Sequence, residues 1–597
     1  MCSLAFADDN PKLIGYPPNR IMGFRGLDTD STTPTIEDSR ATDLLNIKLN
    51  SDLSLRKRYG YSLINSRLDD IDTDSPSVTG IFDAQYSTGA KTLVFLGSKI
   101  KYDNSGTWTT VSNTATLTSS QDNQVLCVMA LDNASCVNDS DRPFKVTSSP
   151  SSSQFSFTGL SAPITKAKAV IWFRNYLIFG NTTESGTLRP TRFRWSNVGT
   201  IETWSDTDFT DISSLAGDEI VGFKELYGDL YIFMRKSIWK ASLVGGNDVF
   251  IFSKVIDGLG AIAKSSIQSV TLPDDRVVVV FLSENKRVLM FNGIAITDIT
   301  TKIHPTMDDL NEARLQYAVG LFDGEDYYLS VSNGGVSTND LLFDYDVYIN
   351  EWTKHDQINA NAMARVKETS SIIKTYFGNY TAFVYWLDNP DQLNDVDGAT
   401  GIIDSVGYLS SSSWTYLQTI IDSGLSAGAY TGATIRITSG TGSGEERTII
   451  SGLTTGVVVA TAFSTTPDST SNYSIGDINS YYKTKWYDFA DAPRYKSFRG
   501  MLFWAKEQSN SSVDVAYAED FGSDINSETK DLSPSGSTLW DSAIWDSSSW
   551  GTTGDKLYNV QHTGNGRNIR ISFSQEDIDK TFEIYGFHLL ADRLDIE

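Results

Sequence analysis

The chain has 597 residues, a formal net charge of −25, 40% hydrophobic residues and 12% aromatic ones. This much apolar material excludes a disordered chain. The acidity excludes a protein that grips nucleic acid through a broad Lys/Arg surface, because such a grip neutralises phosphates with basic side chains. It is compatible with DNA passing nearby, since an acidic wall repels the phosphate backbone.

In chain order, "MCSLAFADDNPK" lacks the basic start and apolar centre of a secretory signal. The first predicted element is a β-hairpin in "ATDLLNIKLNSDLSLRKRYGYSL", Ala41 to Leu63, where two alternating apolar runs flank Asn50-Ser51-Asp52. Its second arm carries Arg56, Lys57 and Arg58, the densest basic burst of the chain. Residues 1–70 are read as an N-terminal arm with this platform hairpin.

Across 71–400 one pattern recurs: an apolar run, a tight turn, a second apolar run, often a Trp. "KTLVFLGSKIKYDNSGTW", "GDLYIFMRKSIWKASL" and "EDYYLSVSNGGVSTNDLLFDYDVYINEW" are copies, and "NQVLCVMALDNASCVNDSDRPFKV" is a weaker one. A period of about 40 to 50 residues with strands throughout predicts a β-propeller of six or seven blades. A run of β-sandwiches is the alternative, which the regular spacing disfavours. The best helical stretch is Met307 to Tyr317, "MDDLNEARLQY".

After about Gly398 the chain turns Thr/Ser/Gly-rich, and 401–476 reads as an inserted small β-module that could be removed without unfolding the propeller. Strand signals resume at "YYKTKWYDF", so 477–597 reads as a C-terminal sandwich-like domain. It contains "WDSAIWDSSSW", whose Trp540, Trp545 and Trp550 suit a core or an interface. The whole chain is therefore expected to be all-β.

Candidate chemistry is sparse. The four His (His304, His355, His562, His588) are scattered, and no H-E-x-x-H or C-x-x-C is present. Cys2, Cys127 and Cys136 make neither a disulfide framework nor a zinc set, and point to assembly in a reducing compartment. "SGTGSGEE", Ser439 to Glu446, lacks a Lys and reads as a hairpin turn, not a phosphate loop. "YDNSGTW" resembles a sialidase turn, but a single copy suits a blade turn. "NDVDG" lacks the glutamate of a Ca²⁺ loop. No catalytic residue, metal or cofactor is expected.

The segment "GFRGLDTDSTTPTIEDSRATDLLNIKLNSDLSLRKRYGY" resembles the start of the tail nozzle proteins of short-tailed bacteriophages, a family that includes tail hub proteins described as stabilising packaged DNA. Gly26-Leu27-Asp28, Ala41, Leu44, Asn46 and Arg56 to Tyr61 fill the family's opening phrases. "RFRWSNVGTIETW", "GDLYIFMRKSIW", "LFDYDVYINEWTKHD" and "YYKTKWYDF" follow in the family's order. The 401–476 module also resembles small β-modules of phage structural proteins. The resemblance implies a virion tail protein, assembled in the host cytoplasm. It implies a homo-hexameric ring below the portal and its adaptor, in contact with tail fibre proteins, around a channel for DNA. Arg56, Lys57 and Arg58 are then expected to dock on adaptor or sister subunits. The competing expectation is a carbohydrate-binding or glycan-cleaving propeller. A trimeric fibre is disfavoured because the chain has no heptads.

Overall fold

The computed structural model describes residues 16, 19–32, 35–68, 77–212, 216–245, 249–369, 372–411, 414–425, 430–534 and 554–594. The chain divides into two compact units: Tyr59–Ile478, and a second built from Met1–Arg58 with Asn479–Glu597.

The Tyr59–Ile478 unit contains a seven-bladed β-propeller. Blades 1 and 3 to 6 are four-stranded antiparallel meanders, beginning at Val78, Ile164, Ile220, Gln268 and Val319. Blade 2 (Leu126–Ala130 to Ser151–Gln154) gains a fifth strand, Ser112–Asn113, which runs parallel to Ser151 and Ser152. Blade 7 takes Ala362–Lys367, Ile373–Gly378 and Val384–Trp386, and borrows its fourth strand, Ser62–Leu63, from the start of the unit. The ring closes where Asn361 donates to the carbonyl of Val78 (3.0 Å) and Val78 N–H to that of Asn379 (2.9 Å). Val78, Ile81 and Val94 of blade 1 share a buried cluster with Ala364, Val366 and Tyr376 of blade 7.

The sequence explains the layering. Runs such as Val277–Leu282, VVVVFL, are covered on both faces by neighbouring blades, so they need no polar alternation. Trp204 ends the apolar phrase of blade 3 stacked 5.3 Å from Phe179, its Nε1–H donating to Ile201 O. The helix expected over Met307 to Tyr317 is two shorter pieces, an α-turn at His304–Asp308 and a 3-10 segment at Glu312–Tyr317. Asn311 breaks the run by capping the second piece, its side chain accepting from Ala313 N–H.

The cysteines differ from expectation as well. Cys127 and Cys136 lie directly opposite each other on the first two strands of blade 2 and form a disulfide. Their spacing in the chain gives no cue; the hairpin register does. With a separation of 9 residues, replacing both by Ala is expected to lower stability by at most about 3 kcal/mol, the loop-closure value. Chemical denaturation of the variant beside the parent under non-reducing conditions measures it. A parent insensitive to the loss would mean that the hairpin pairing alone closes the loop.

The stretch Ala399–Ile402 to Asn472–Ile475 forms a seven-stranded sheet with its own core, including Ile420, Ile435, Ile449, Val457 and Tyr473. It also packs on the propeller. Its Ile450 and Val458 belong to a second cluster with Tyr61, Leu342, Phe383 and Tyr385 of the propeller. The Tyr385 hydroxyl also donates to Gly432 O at 2.8 Å. Ser439 to Glu446 is the turn of a hairpin in this sheet.

The other unit is a two-sheet sandwich. One sheet has the order Ile47–Leu49, Leu55–Lys57, Glu583–Arg593, Lys496–Lys506, Asp555–Gly566, with Asn19–Met22 added on Glu583–Arg593. The other has the order Ala41–Leu45, Ser480–Thr484, Ile569–Gln575, Ser512–Glu519, Ile525–Asp531. Segments read from the sequence as a separate arm (1–70) and a separate C-terminal domain (477–597) thus interleave, strand by strand. Phe24 shows why: it packs edge-on against Tyr482 (5.2 Å) and Phe573 (6.1 Å) and is fully buried. A core with that ring removed would keep a large void.

Candidate functional site at the propeller axis

The innermost strands of the seven blades all start at one end of the axis, and polar side chains at these starts reach across it. Gln124, before blade 2, donates to Tyr317 O (2.8 Å), before blade 6. Lys264, before blade 5, donates through Nζ to Gln124 O (2.7 Å), and Ser265 Oγ to Gln124 Oε1 (3.3 Å). Asn361, before blade 7, donates to Gln121 O (3.0 Å) as well as to Val78 O. Gln268 donates to Gly320 O (2.8 Å). At the same end Arg314 grips Asp122 with two bonds (2.7 and 3.0 Å), its guanidinium 4.1 Å over the Tyr317 ring. The bonds that tie blade 2 to blades 5 and 6 join non-neighbours, so they span the lumen. Below them lies a cavity of about 120 Å³ bordered by Thr79, Cys127, Gln268 and Asn361.

The plug is electrostatically tense. Crowding by protein pulls the ammonium groups of Lys224 and Lys264 down to about 8. Both side chains keep partial solvent access, as groups in a narrow channel do. For Lys264 the Asp139 carboxylate opposes this shift and Lys168 adds to it. Among the described residues Lys224 has one hydrogen-bond acceptor, the amide oxygen of Gln268 at 3.5 Å. The depressed value means that the folded state resists the charge. Stability is therefore lower below pH 8 and rises between about 8 and the usual 10.5, where only the unfolded chain holds the proton. Lys224→Met is expected to raise the unfolding midpoint at pH 7 and to flatten that rise. Midpoints measured from pH 7 to 10.5 check it; an unchanged slope and a lower midpoint would show the charge to be favourable.

Blade 3 holds a second ionic cluster. Glu184 accepts from Arg194 at 2.9 and 3.2 Å and from Arg192 at 2.8 Å, while Arg192 also holds Asp211 with two 2.7 Å bonds. That grip keeps the Asp211 carboxyl below the usual range. The Phe209 ring lies 3.8 Å from the Arg192 guanidinium. Every charge here has an opposite partner, so the cluster fastens strands together.

A larger cleft, about 540 Å³, opens at the seam of blades 1 and 7 and is lined by Asp83, Lys91, Asp103, Lys367, Glu368 and Tyr376 among others. Burial raises the Asp83 carboxyl against the bonds from Lys367 N–H and Gln85. Asp103 binds its own turn, accepting from Gly106 N–H (3.0 Å), so "YDNSGTW" serves a blade turn.

Two of the three cations of the basic hairpin, Lys57 and Arg58, are buried and not free to dock on a partner, while Arg56 stays partly exposed. Leu55 and Lys57 fall on the same inward face of the strand, and Lys57 is 1% exposed. Its Nζ donates to Asp577 O (3.3 Å). Arg58, 4% exposed, donates to Asn46 Oδ1 (3.0 Å), and Arg56 to Asn50 Oδ1 (3.1 Å). A row of three cations suggests a surface, but the two-residue period puts one inside and the turn of the chain buries the next. Trp540, Trp545 and Trp550 lie outside the described residues. His304 pairs with Asp298 (2.8 Å), His562 with Glu519 (2.7 Å), and His355 is buried beside Asp344. Among the described residues no group of three or more His, Cys, Asp or Glu could hold a metal, and no helix is long and apolar enough to cross a membrane. The amides of Gln124, Gln268 and Asn361 escaped sequence reading because nothing marks an amide at a strand start as axial.

No protein-family model and no curated protein matches the chain. Solved structures to which it is similar include BamB from Moraxella catarrhalis (11% identity, 62% of this chain and 100% of that one, TM-score 0.33). The WD40 domain of Pan2 from Neurospora crassa matches at 10% identity over 58% of this chain and 99% of that one (TM-score 0.32). An exo-beta-1,3-galactanase from Phanerochaete chrysosporium matches at 8% identity over 76% and 100% (TM-score 0.24).

Proposed function

We propose that this chain is a non-enzymatic structural protein of a bacteriophage tail: a nozzle subunit that forms a hexameric ring, docks on the portal–adaptor complex and tail fibre proteins, and surrounds a channel for DNA retention and ejection. The observation that carries the reading is the order of the nozzle-like phrases across both units. Ala41, Leu44 and Asn46 are in or beside a sandwich strand, and "YYKTKWYDF" starts on the strand paired with it. "RFRWSNVGTIETW" and "LFDYDVYINEW" are the outer strands of blades 3 and 6. In this reading the DNA path lies between copies, because side chains fill the propeller axis. The net charge of −25 suits a channel that lets a phosphate backbone slide without sequence-specific contact.

A second reading, glycan binding, draws on the polar seam cleft, whose size falls in the range of small-ligand sites. Native mass spectrometry and electron microscopy of the purified chain, alone and mixed with portal–adaptor rings, separate the two. Six copies on an adaptor ring are expected. A chain that stays monomeric in both settings and binds a glycan array with loss on Asp83→Asn would replace the tail reading with the second.

A further inference from the structure

Hairpin tips alternate between the two ends of the propeller, and the end opposite the axial plug carries three prominent apolar side chains on adjacent blades. Val198 of blade 3 is 60% exposed, Tyr227 of blade 4 is 65% and Ile294 of blade 5 is 81%. Lone exposed apolar residues are ordinary, but these are held out rigidly and tied to one another. Tyr227 sits at φ 54°, a left-handed conformation that is strained for a bulky residue. Its hydroxyl donates to Val277 O of blade 5 at 2.8 Å. A Cβ on Gly293 would stand 3.9 Å from the Tyr227 ring, so the ring lies close to the turn that carries Ile294. Ile294 is itself fixed in a turn whose N–H groups, its own and that of Ala295, donate to Asn292 Oδ1 at 3.0 and 2.8 Å. On the other side Arg174 of blade 3 donates to Gly228 O (3.3 Å), and Gly199 N–H to Asn175 O (2.8 Å).

We infer that this arc of tips over blades 3 to 5 is a docking surface for another protein whose contact segment is apolar with Lys or Arg at its flanks. Preorganised aromatic and branched anchors bind without losing much rotamer freedom, which is the character of interface hot spots. The charge selects the partner. Asp274 and Asp275 stand on the blade 5 tip, and the adjacent Arg276 already holds Asp274 at 2.6 Å. Asp323 and Glu325 follow on the blade 6 tip, where the Arg365 guanidinium offsets part of their charge, as a Cβ on Gly324 would lie 3.2 Å from it. A second copy of a chain with net charge −25 meets this acidic rim with like charge, whereas a basic flank is steered to it.

The test is peptide display against the immobilised full chain at low salt, followed by binding measurements on the selected peptides. Enrichment of an aromatic or branched aliphatic anchor flanked by Lys/Arg is expected, with affinity falling at least tenfold in Ile294→Ser and in Tyr227→Ser. Ile294→Ser, being almost fully exposed, should leave the unfolding midpoint unchanged, which separates lost binding from lost folding. No enrichment, acidic consensus peptides, or full affinity in both variants would overturn the inference. A concentration-dependent dimer in sedimentation that Ile294→Ser dissolves would also overturn it, by assigning the surface to a second copy.

Discussion

Glu184→Ala is expected to destabilise the propeller by about 3–5 kcal/mol, the range for stripping one partner from a buried ion pair. Glu184, Arg192 and Arg194 have side chains 5%, 8% and 4% exposed. Removing the carboxylate leaves the Arg194 guanidinium without either of its charged bonds and Arg192 with Asp211 alone. Thr182 Oγ1, which donates to Glu184 Oε1 at 3.0 Å, loses its acceptor too. Glu184→Gln keeps an acceptor oxygen and the shape, so it should fall between the parent and the Ala variant. Denaturant titration of the three proteins, with one probe for each unit, reads the effect. A change under about 1 kcal/mol in Glu184→Ala would mean that water replaces the carboxylate at little cost.

Deleting 401–476 behind a short Gly/Ser joint is expected to lower the propeller's thermal midpoint by several degrees and to expose dye-binding apolar surface. The deletion withdraws Ile450 and Val458, with Leu417, Leu453 and Ala460 at their edge, from the cluster that they share with Tyr61, Phe383 and Tyr385. Each large apolar side chain returned to water costs about 1.5–3 kcal/mol, and the Tyr385 hydroxyl loses its acceptor at Gly432. Calorimetry of the deletion variant checks this. A midpoint equal to the parent's would show that the module is removable, as its composition suggests.

That module illustrates what was readable in the chain. Its composition and its internal strands were legible because Thr/Ser/Gly-rich turns and Val/Ile runs are local signals. Its attachment was not, because Ile450 and Val458 look like any strand residues until their outward neighbours are known. The blades were legible for the same reason that they fold: each repeats an apolar run, a turn and a closing aromatic such as Trp204 or Trp352. Their number needed the long-range pairing of Ser62 and Leu63 with Trp386 and Tyr385, which no local pattern encodes. The phrase ending in Gly60-Tyr61 gained a physical meaning. A Cβ on Gly60 would stand 1.8 Å from the carbonyl oxygen of Asn394, so the backbones approach there as only glycine allows. Tyr61 beside it is a core ring, 5.2 Å from Phe377 and 4.8 Å from Tyr385. Burial of Lys57 was not legible from its charge, because the two-residue strand period, not residue type, sets which face it takes.

The interleaved sandwich sets a timetable for synthesis. Leu55 and Arg56 leave the ribosome early, yet their partners in the sheet are Ile584 and Glu583, and Ala41 waits for Thr484. At about 5–20 residues per second, the first strands emerge on the order of half a minute to two minutes before the strand that completes their sheet. The propeller, whose last borrowed strand is already out, can close during that interval. Until the final strand arrives, the nascent chain carries Phe24 and two unpaired strand edges in water, the kind of exposed surface that chaperones hold. Truncation near the C-terminus would therefore leave the blades intact while stranding the opening segment, and the misfolding of a shortened chain would begin at its other end.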